Sequence, residues 1–162
     1  MNTENSTNAS SEVSVQCESI EPPSWLPEYR RFLYAVLKHE KLEPWELSVL
    51  LTDDETIRTY NRTYRTIDSA TDVLSFSQTE GAEVPRGSDA PLPAGDLVIS
   101  LETVGRNADE FGIDFREELQ RVSIHGVLHL AGFVHTTNDT AKEPMLLLQE
   151  RILHSLQKEF LF

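Results

Sequence analysis

The chain has 162 residues, 39% of them apolar and 25% charged, a balance that predicts one soluble domain with a sizeable core. No apolar run approaches a membrane span, no basic N-terminus precedes an apolar stretch, and the single cysteine, Cys17, allows no internal disulfide; these features predict a cytoplasmic protein with no membrane partner. The formal net charge of −13 disfavours non-specific nucleic-acid binding, which draws on Lys and Arg, so an RNA or DNA role needs a local basic patch or a recruiting partner.

Residues 1–12 are polar and predict a disordered tail, leaving 13–162 as a single domain. Val13–Cys17 alternates as a short strand. After Pro22 and Pro23, Ser24 is placed to cap a helix carrying Leu26, Tyr29, Phe32, Leu33, Val36 and Leu37. Trp45–Leu51 reads as a strand. The capping-box pattern Thr52-Asp53-Asp54-Glu55 opens a helix with Ile57, Tyr60 and Tyr64 on its apolar face. Asp72–Phe76 is a strand, residues 78–94 a long exposed loop, and Gly95–Ser100 another strand. Ser100 caps a helix with Leu101, Val104, Ala108 and Phe111 turned inward. A long helix spans about Phe115 to Ala131. Thr140 and Glu143 form a further capping box before a final helix with Leu146, Leu147, Ile152, Leu153, Leu156 and Phe160. Strands and helices mix without strict alternation, which predicts an α+β fold.

Three of the five histidines fall in one short string, His125-Gly126-Val127-Leu128-His129-Leu130-Ala131-Gly132-Phe133-Val134-His135. On a helix, His125 and His129 project from one face. Gly132 suits the left-handed conformation that ends a helix, so the chain can return His135 to the pair. Three converging imidazoles make a zinc site with one position open. The spacing is that of the metzincin peptidases, HExxHxxGxxH, but Gly126 stands where those enzymes carry the glutamate base. The ligands remain and the peptidase base is gone.

Arg58, Arg62 and Arg65 share one face of the helix that follows Asp53. Guanidinium groups match phosphate oxygens bidentately. For Arg58 and Arg62 the plain expectation is surface pairing with Asp54 or Glu55. Arg65 lies just beyond the helix pattern, before the strand at Asp72, where side chains are often aimed at sites.

The histidine string is similar to the HGxLHLxGxDH signature of the YbeY family, bacterial rRNA maturation factors that act as endoribonucleases. Asn61–Arg65 followed by Thr71–Phe76 resembles the family's NxxYRxxxxxTDVLSF segment, and Gly95–Ser100 its GDIxIS strand. The resemblance runs from about residue 13 to about residue 158, with three separate motifs in the family's order. It implies a small mixed β-sheet with about five helices around it and a zincin-like metal helix. It assigns one Zn2+ per chain to His125, His129 and His135, and gives Arg65 the role of the family's functional arginine. The implied activity is single-strand-specific RNA cleavage in rRNA maturation, at the 16S 3′ end, and in ribosome quality control. The implied partners are single-stranded rRNA and the small ribosomal subunit with its proteins. RNA is expected in a groove between the histidine helix and the Arg58–Arg65 helix, with Thr71, Ser75 and Ser77 supplying hydroxyls.

Two positions depart from the family pattern. Val134 replaces the acidic residue that usually precedes the last histidine, and Asp96 is a candidate to take over its role. Ala70 replaces a common proline. Two other functions fit the same residues: a zinc-dependent hydrolase of another substrate, and a ribosome-assembly factor with a structural zinc.

Overall fold

The computed structural model describes residues 10–78, 90–132, 144–160 and 162. In chain order these form β1 (Glu12–Cys17), α1 (Leu26–His39), β2 (Trp45–Thr52), α2 (Asp54–Arg65), β3 (Val73–Ser77), β4 (Leu92–Ser100), α3 (Leu101–Phe111), α4 (Phe115–Leu130) and α5 (Pro144–Leu156). The sheet order is β1-β2-β4-β3, with β1, β2 and β4 parallel and β3 antiparallel to β4. This is the mixed sheet and α+β class expected from sequence. Ser11, within the segment read as a tail, is buried, and its hydroxyl accepts from the Trp45 amide at 2.9 Å.

The two faces of the sheet differ. Leu47, Val49, Leu51, Leu97 and Ile99 belong to the main core, which they share with α1, α4 and α5. Leu74 and Val98 lie on the other face with Ile57 of α2, in a smaller cluster. Helices α1, α4 and α5 cover the first face, while α2 covers part of the second, where Ser48 of β2 and Asp96 of β4 remain polar. Helix α4 lies deepest, burying Leu119, Val122, Ile124, Val127, Leu128 and Leu130. A 2.7 Å hydrogen bond between the hydroxyls of Tyr29 and Ser123 ties it to α1.

Several local expectations are corrected. Ser24 does not cap α1; Trp25 stands there without a side-chain bond, and proline in the first turn lessens the need for one. The cap of α2 is Asp53, whose Oδ1 accepts from the Thr56 amide at 2.9 Å. Thr52, one residue earlier, is buried and donates to the Glu18 carbonyl at 2.7 Å. Ser100 caps α3 as expected. Strand β4 starts at Leu92, inside the predicted loop; the register shifts between Glu46 and Leu47, and such an irregularity accommodates Pro93. Phe111 is 62% exposed rather than inward. The buried stripe of α5 is Met145, Gln149, Ile152, Leu153 and Leu156, so Leu147 faces outward. Phe160 lies past the helix and packs on Phe32, ring centroids 5.7 Å apart. The capping box at Thr140 and Glu143 lies outside the described residues.

Candidate metal centre

Helix α4 is the platform for the histidines. Its first half is anchored in the core, and its end carries His125 and His129, one turn apart and both half-buried. The helix closes at Ala131, and Gly132 has φ +98°, the left-handed turn for which a glycine is expected. The structure brings two of the three predicted ligands together: Nε2 of His125 lies 3.0 Å from Nε2 of His129, with the rings inclined at 69°. His135 and Val134 lie outside the described residues.

Among the described residues no group of three metal-ligating side chains is present, but the spacing of the two imidazoles is close to what a divalent cation requires. Two imidazole nitrogens about 2.0–2.1 Å from one tetrahedral zinc ion stand about 3.4 Å apart, a few tenths of an ångström more than the separation here. The far side of His125 is also fixed. Its Nδ1 is 2.7 Å from Oε1 of Gln149 on α5, the outer hydrogen bond that orients ligating histidines. Gln149 in turn donates to Glu150 Oε1 at 3.4 Å. Glu150 is gripped by Arg121 of α4 through Nε and Nη2, at 2.8 and 3.3 Å. The Arg121 hydrogen bond holds the Glu150 carboxyl below its ordinary range against the opposing effect of burial. Gln149 was missed in sequence. The signal was one polar residue inside the apolar stripe of the last helix.

Gly126, between the histidines, faces the sheet. A β-carbon there would stand 2.8 Å from Leu97 Cδ2 and 3.3 Å from Val73 Cγ2. A side chain there would have to displace the Leu97 methyls, and this contact disfavours a glutamate at the position.

The arginine stripe divides as charge pairing dictates. Arg58 makes a bidentate pair with Asp68 at 2.8 and 3.1 Å, and Arg62 stands 3.7 Å from the same carboxylate. The partner is Asp68, whereas Asp54 pairs with Arg106. Arg65, the last residue of α2, turns to the sheet edge. Its Nη2 donates to the Ser75 carbonyl, and its guanidinium carbon lies 5.2 Å from the Phe76 ring centroid. The Ser75 hydroxyl donates to the Gly126 carbonyl at 3.4 Å. Ser75 therefore joins Arg65 to the turn of α4 that holds both histidines.

The Thr71 hydroxyl donates to Asp72 at 3.4 Å, and Ser77 ends β3. Asp96 takes the amide of Gln78 at 3.2 Å and lines a cavity of about 530 Å³ with Ser14, Ser48, Tyr60, Tyr64 and Phe76. Residue alternation along β4 puts it on the opposite sheet face from Leu97, the residue under Gly126. Asp96 therefore faces away from α4 and its histidines. Tyr64, expected on an apolar face, is 64% exposed; it stacks on Tyr60 and meets Phe76 edge-on.

Fold and site together define a small α+β protein built around a histidine-bearing helix. A family model described as Endoribonuclease YbeY matches residues 10–157. The chain is 45% identical over 141 residues to the protein named Endoribonuclease YbeY in Treponema pallidum (strain Nichols), covering 87% of each. It is 39% identical over 149 residues to that of Borrelia duttonii (strain Ly), covering 92% of this chain and 97% of the relative. It superposes on the solution structure of a Thermotoga maritima protein with a TM-score of 0.63, at 26% identity, over 91% of this chain and 90% of that one. The chain belongs to the YbeY endoribonuclease family.

Proposed function

We propose that the chain is a single-strand-specific metallo-endoribonuclease. In this reading it works in the cytoplasm on ribosomal RNA, at the 16S 3′ end and in ribosome quality control, in contact with the small subunit and its proteins. His125, His129 and His135 hold one Zn2+ per chain, and Arg65 is the catalytic residue that meets the phosphoryl oxygens.

The observation that carries the reading is the double attachment of Ser75. Its carbonyl accepts from Arg65 and its hydroxyl donates to the Gly126 carbonyl. One residue of β3 thus touches both the Arg65 guanidinium and the backbone of α4 between the two histidines. Membership in an endoribonuclease family supports RNA as the substrate.

Each part has a physical task. Arg65 has five N–H donors in a planar fork. The bond to Ser75 pins the group, and the other donors suit two phosphoryl oxygens. Held in place beforehand, it offsets charge that grows on those oxygens in the transition state. The Nε2 atoms of His125 and His129 lie 3.0 Å apart; with His135 they would hold the divalent cation, which would supply Lewis-acid polarisation of the scissile phosphate. Gly126 contributes no base and lets α4 sit close to β4. Single strands are preferred because unpaired bases leave the backbone free to bend into a surface site.

Incubation of the purified full chain with single-stranded RNA, double-stranded RNA and a peptide tests this. The expected result is cleavage of single-stranded RNA alone, abolished in His129→Ala. Cleavage that persists unchanged in His129→Ala, or activity confined to the peptide, contradicts it.

A further inference from the structure

We infer that Gln149 is a positioning residue for the histidine pair: its side-chain carbonyl holds the Nδ1 proton of His125 and so keeps the Nε2 lone pair of that ring aimed at His129. The inference rests on the reading that the pair binds a divalent cation, and it adds the residue that prepares the site.

Gln149 is 6% exposed on α5, in a stripe otherwise made of Met145, Ile152, Leu153 and Leu156. A carboxamide buried among apolar neighbours is unfavourable unless both of its ends are bonded. Both are. Oε1 faces His125 Nδ1 at 2.7 Å, and Nε2 donates to Glu150 at 3.4 Å. A carbonyl oxygen only accepts, so the ring nitrogen facing it carries the proton. A neutral imidazole has one such proton, and placing it on Nδ1 leaves Nε2 as a lone pair.

The amide could reverse only by turning its oxygen toward a carboxylate. Arg121 prevents Glu150 from moving aside, by its two hydrogen bonds at 2.8 and 3.3 Å. The chain Arg121, Glu150, Gln149, His125 starts and ends on α4, with its middle on α5. Each link fixes the direction of the next, and the last fixes which nitrogen of His125 is basic. A purely structural glutamine would have no such effect on the ring.

Nitrogen-15 spectra of the imidazoles in the metal-free full chain are the first test. They are expected to show His125 as the Nδ1–H tautomer. An Nε2–H tautomer in the wild-type chain overturns the inference, whatever any variant does. The second test is Zn2+ affinity, by competition with a chelator. Gln149→Leu is expected to bind Zn2+ about 10- to 100-fold more weakly and to show mixed tautomers. Gln149→Glu/Glu150→Gln keeps an acceptor facing His125 with a donor beside it and is expected to restore affinity to within a few-fold. Equal Zn2+ binding by wild type and Gln149→Leu overturns the inference, as does a loss in Gln149→Glu/Glu150→Gln matching that in Gln149→Leu. A wild-type chain that binds no Zn2+ contradicts the proposed function instead, and the tautomer still decides the role of Gln149.

Discussion

Gly126 and Leu97 touch where helix α4 crosses the sheet, so closely that a β-carbon on Gly126 would come within 2.8 Å of Leu97 Cδ2. Leu97 is fully buried and cannot swing into solvent. This contact sets the height of the histidine pair above β4. Gly126→Ala gains about 1 kcal/mol of helix propensity against about 1–3 kcal/mol of overpacking. We expect net destabilisation in urea unfolding, reversed by the added cavity in Leu97→Ala/Gly126→Ala relative to Leu97→Ala alone. Destabilisation that is simply additive would mean that the two residues are not coupled.

Arg65 is exposed and tied to the fold mainly through Ser75 and Phe76. Its replacement by Ala should lower the rate of RNA cleavage by about 10²–10³, the loss typical when one electrostatic stabiliser is removed. The melting temperature should barely move, because exposed charges add little stability. Arg65→Lys keeps the charge but not the fork and should recover only part of the rate. Full activity in Arg65→Ala would remove the arginine from the mechanism.

A cation that binds the folded chain alone stabilises it by mass action, about 2.7 kcal/mol at a hundredfold excess over Kd. For a chain of this length that is about 5–10 °C in melting temperature. Zn2+ should give this increase in the wild type and none in His125→Ala or His129→Ala. Equal increases in all three would place the cation elsewhere.

Glu118 offers a pH test. It is 4% exposed, its Oε2 accepts no hydrogen bond, and Arg121 Nη1 stands 3.7 Å away. Burial raises its carboxyl above the ordinary value of 4.5; Arg121 pulls it down and Asp72 pushes it up again. The folded state therefore favours the protonated form. Its contribution is fully present below the unfolded value and is lost as pH rises through the folded one. Glu118→Gln stays neutral, so its melting temperature should gain on the wild type as pH rises from the ordinary value of 4.5 through the raised one. A constant difference across that range would contradict the assignment.

Much of this was legible in sequence because periodicity reports burial directly. The alternation of Val13–Cys17, the helical spacing of Tyr29, Phe32, Leu33 and Val36, and the uncharged second half of α4 each set an element. The histidine pair follows from spacing alone, since residues four apart share a helix face. What escaped depends on through-space partners. Asp68 as the counterion of Arg58, Gln149 behind His125, and Ser75 between Arg65 and Gly126 join positions 10, 24 and 10 to 51 residues apart. The phase of α5 was misread because Leu146, Leu147 and Leu148 offer two apolar stripes, and only packing against α4 chooses Met145 and Gln149. The contact of Gly126 with Leu97 is likewise a through-space relation that the sequence does not display.

The most direct test is the metal content of the purified full chain, measured by elemental analysis alongside single alanine variants of His125, His129 and His135. We predict one zinc per wild-type chain and a clear loss in every variant. A wild-type chain that holds no divalent metal after exposure to excess zinc, or a stoichiometry unchanged when these histidines are removed, would contradict the account.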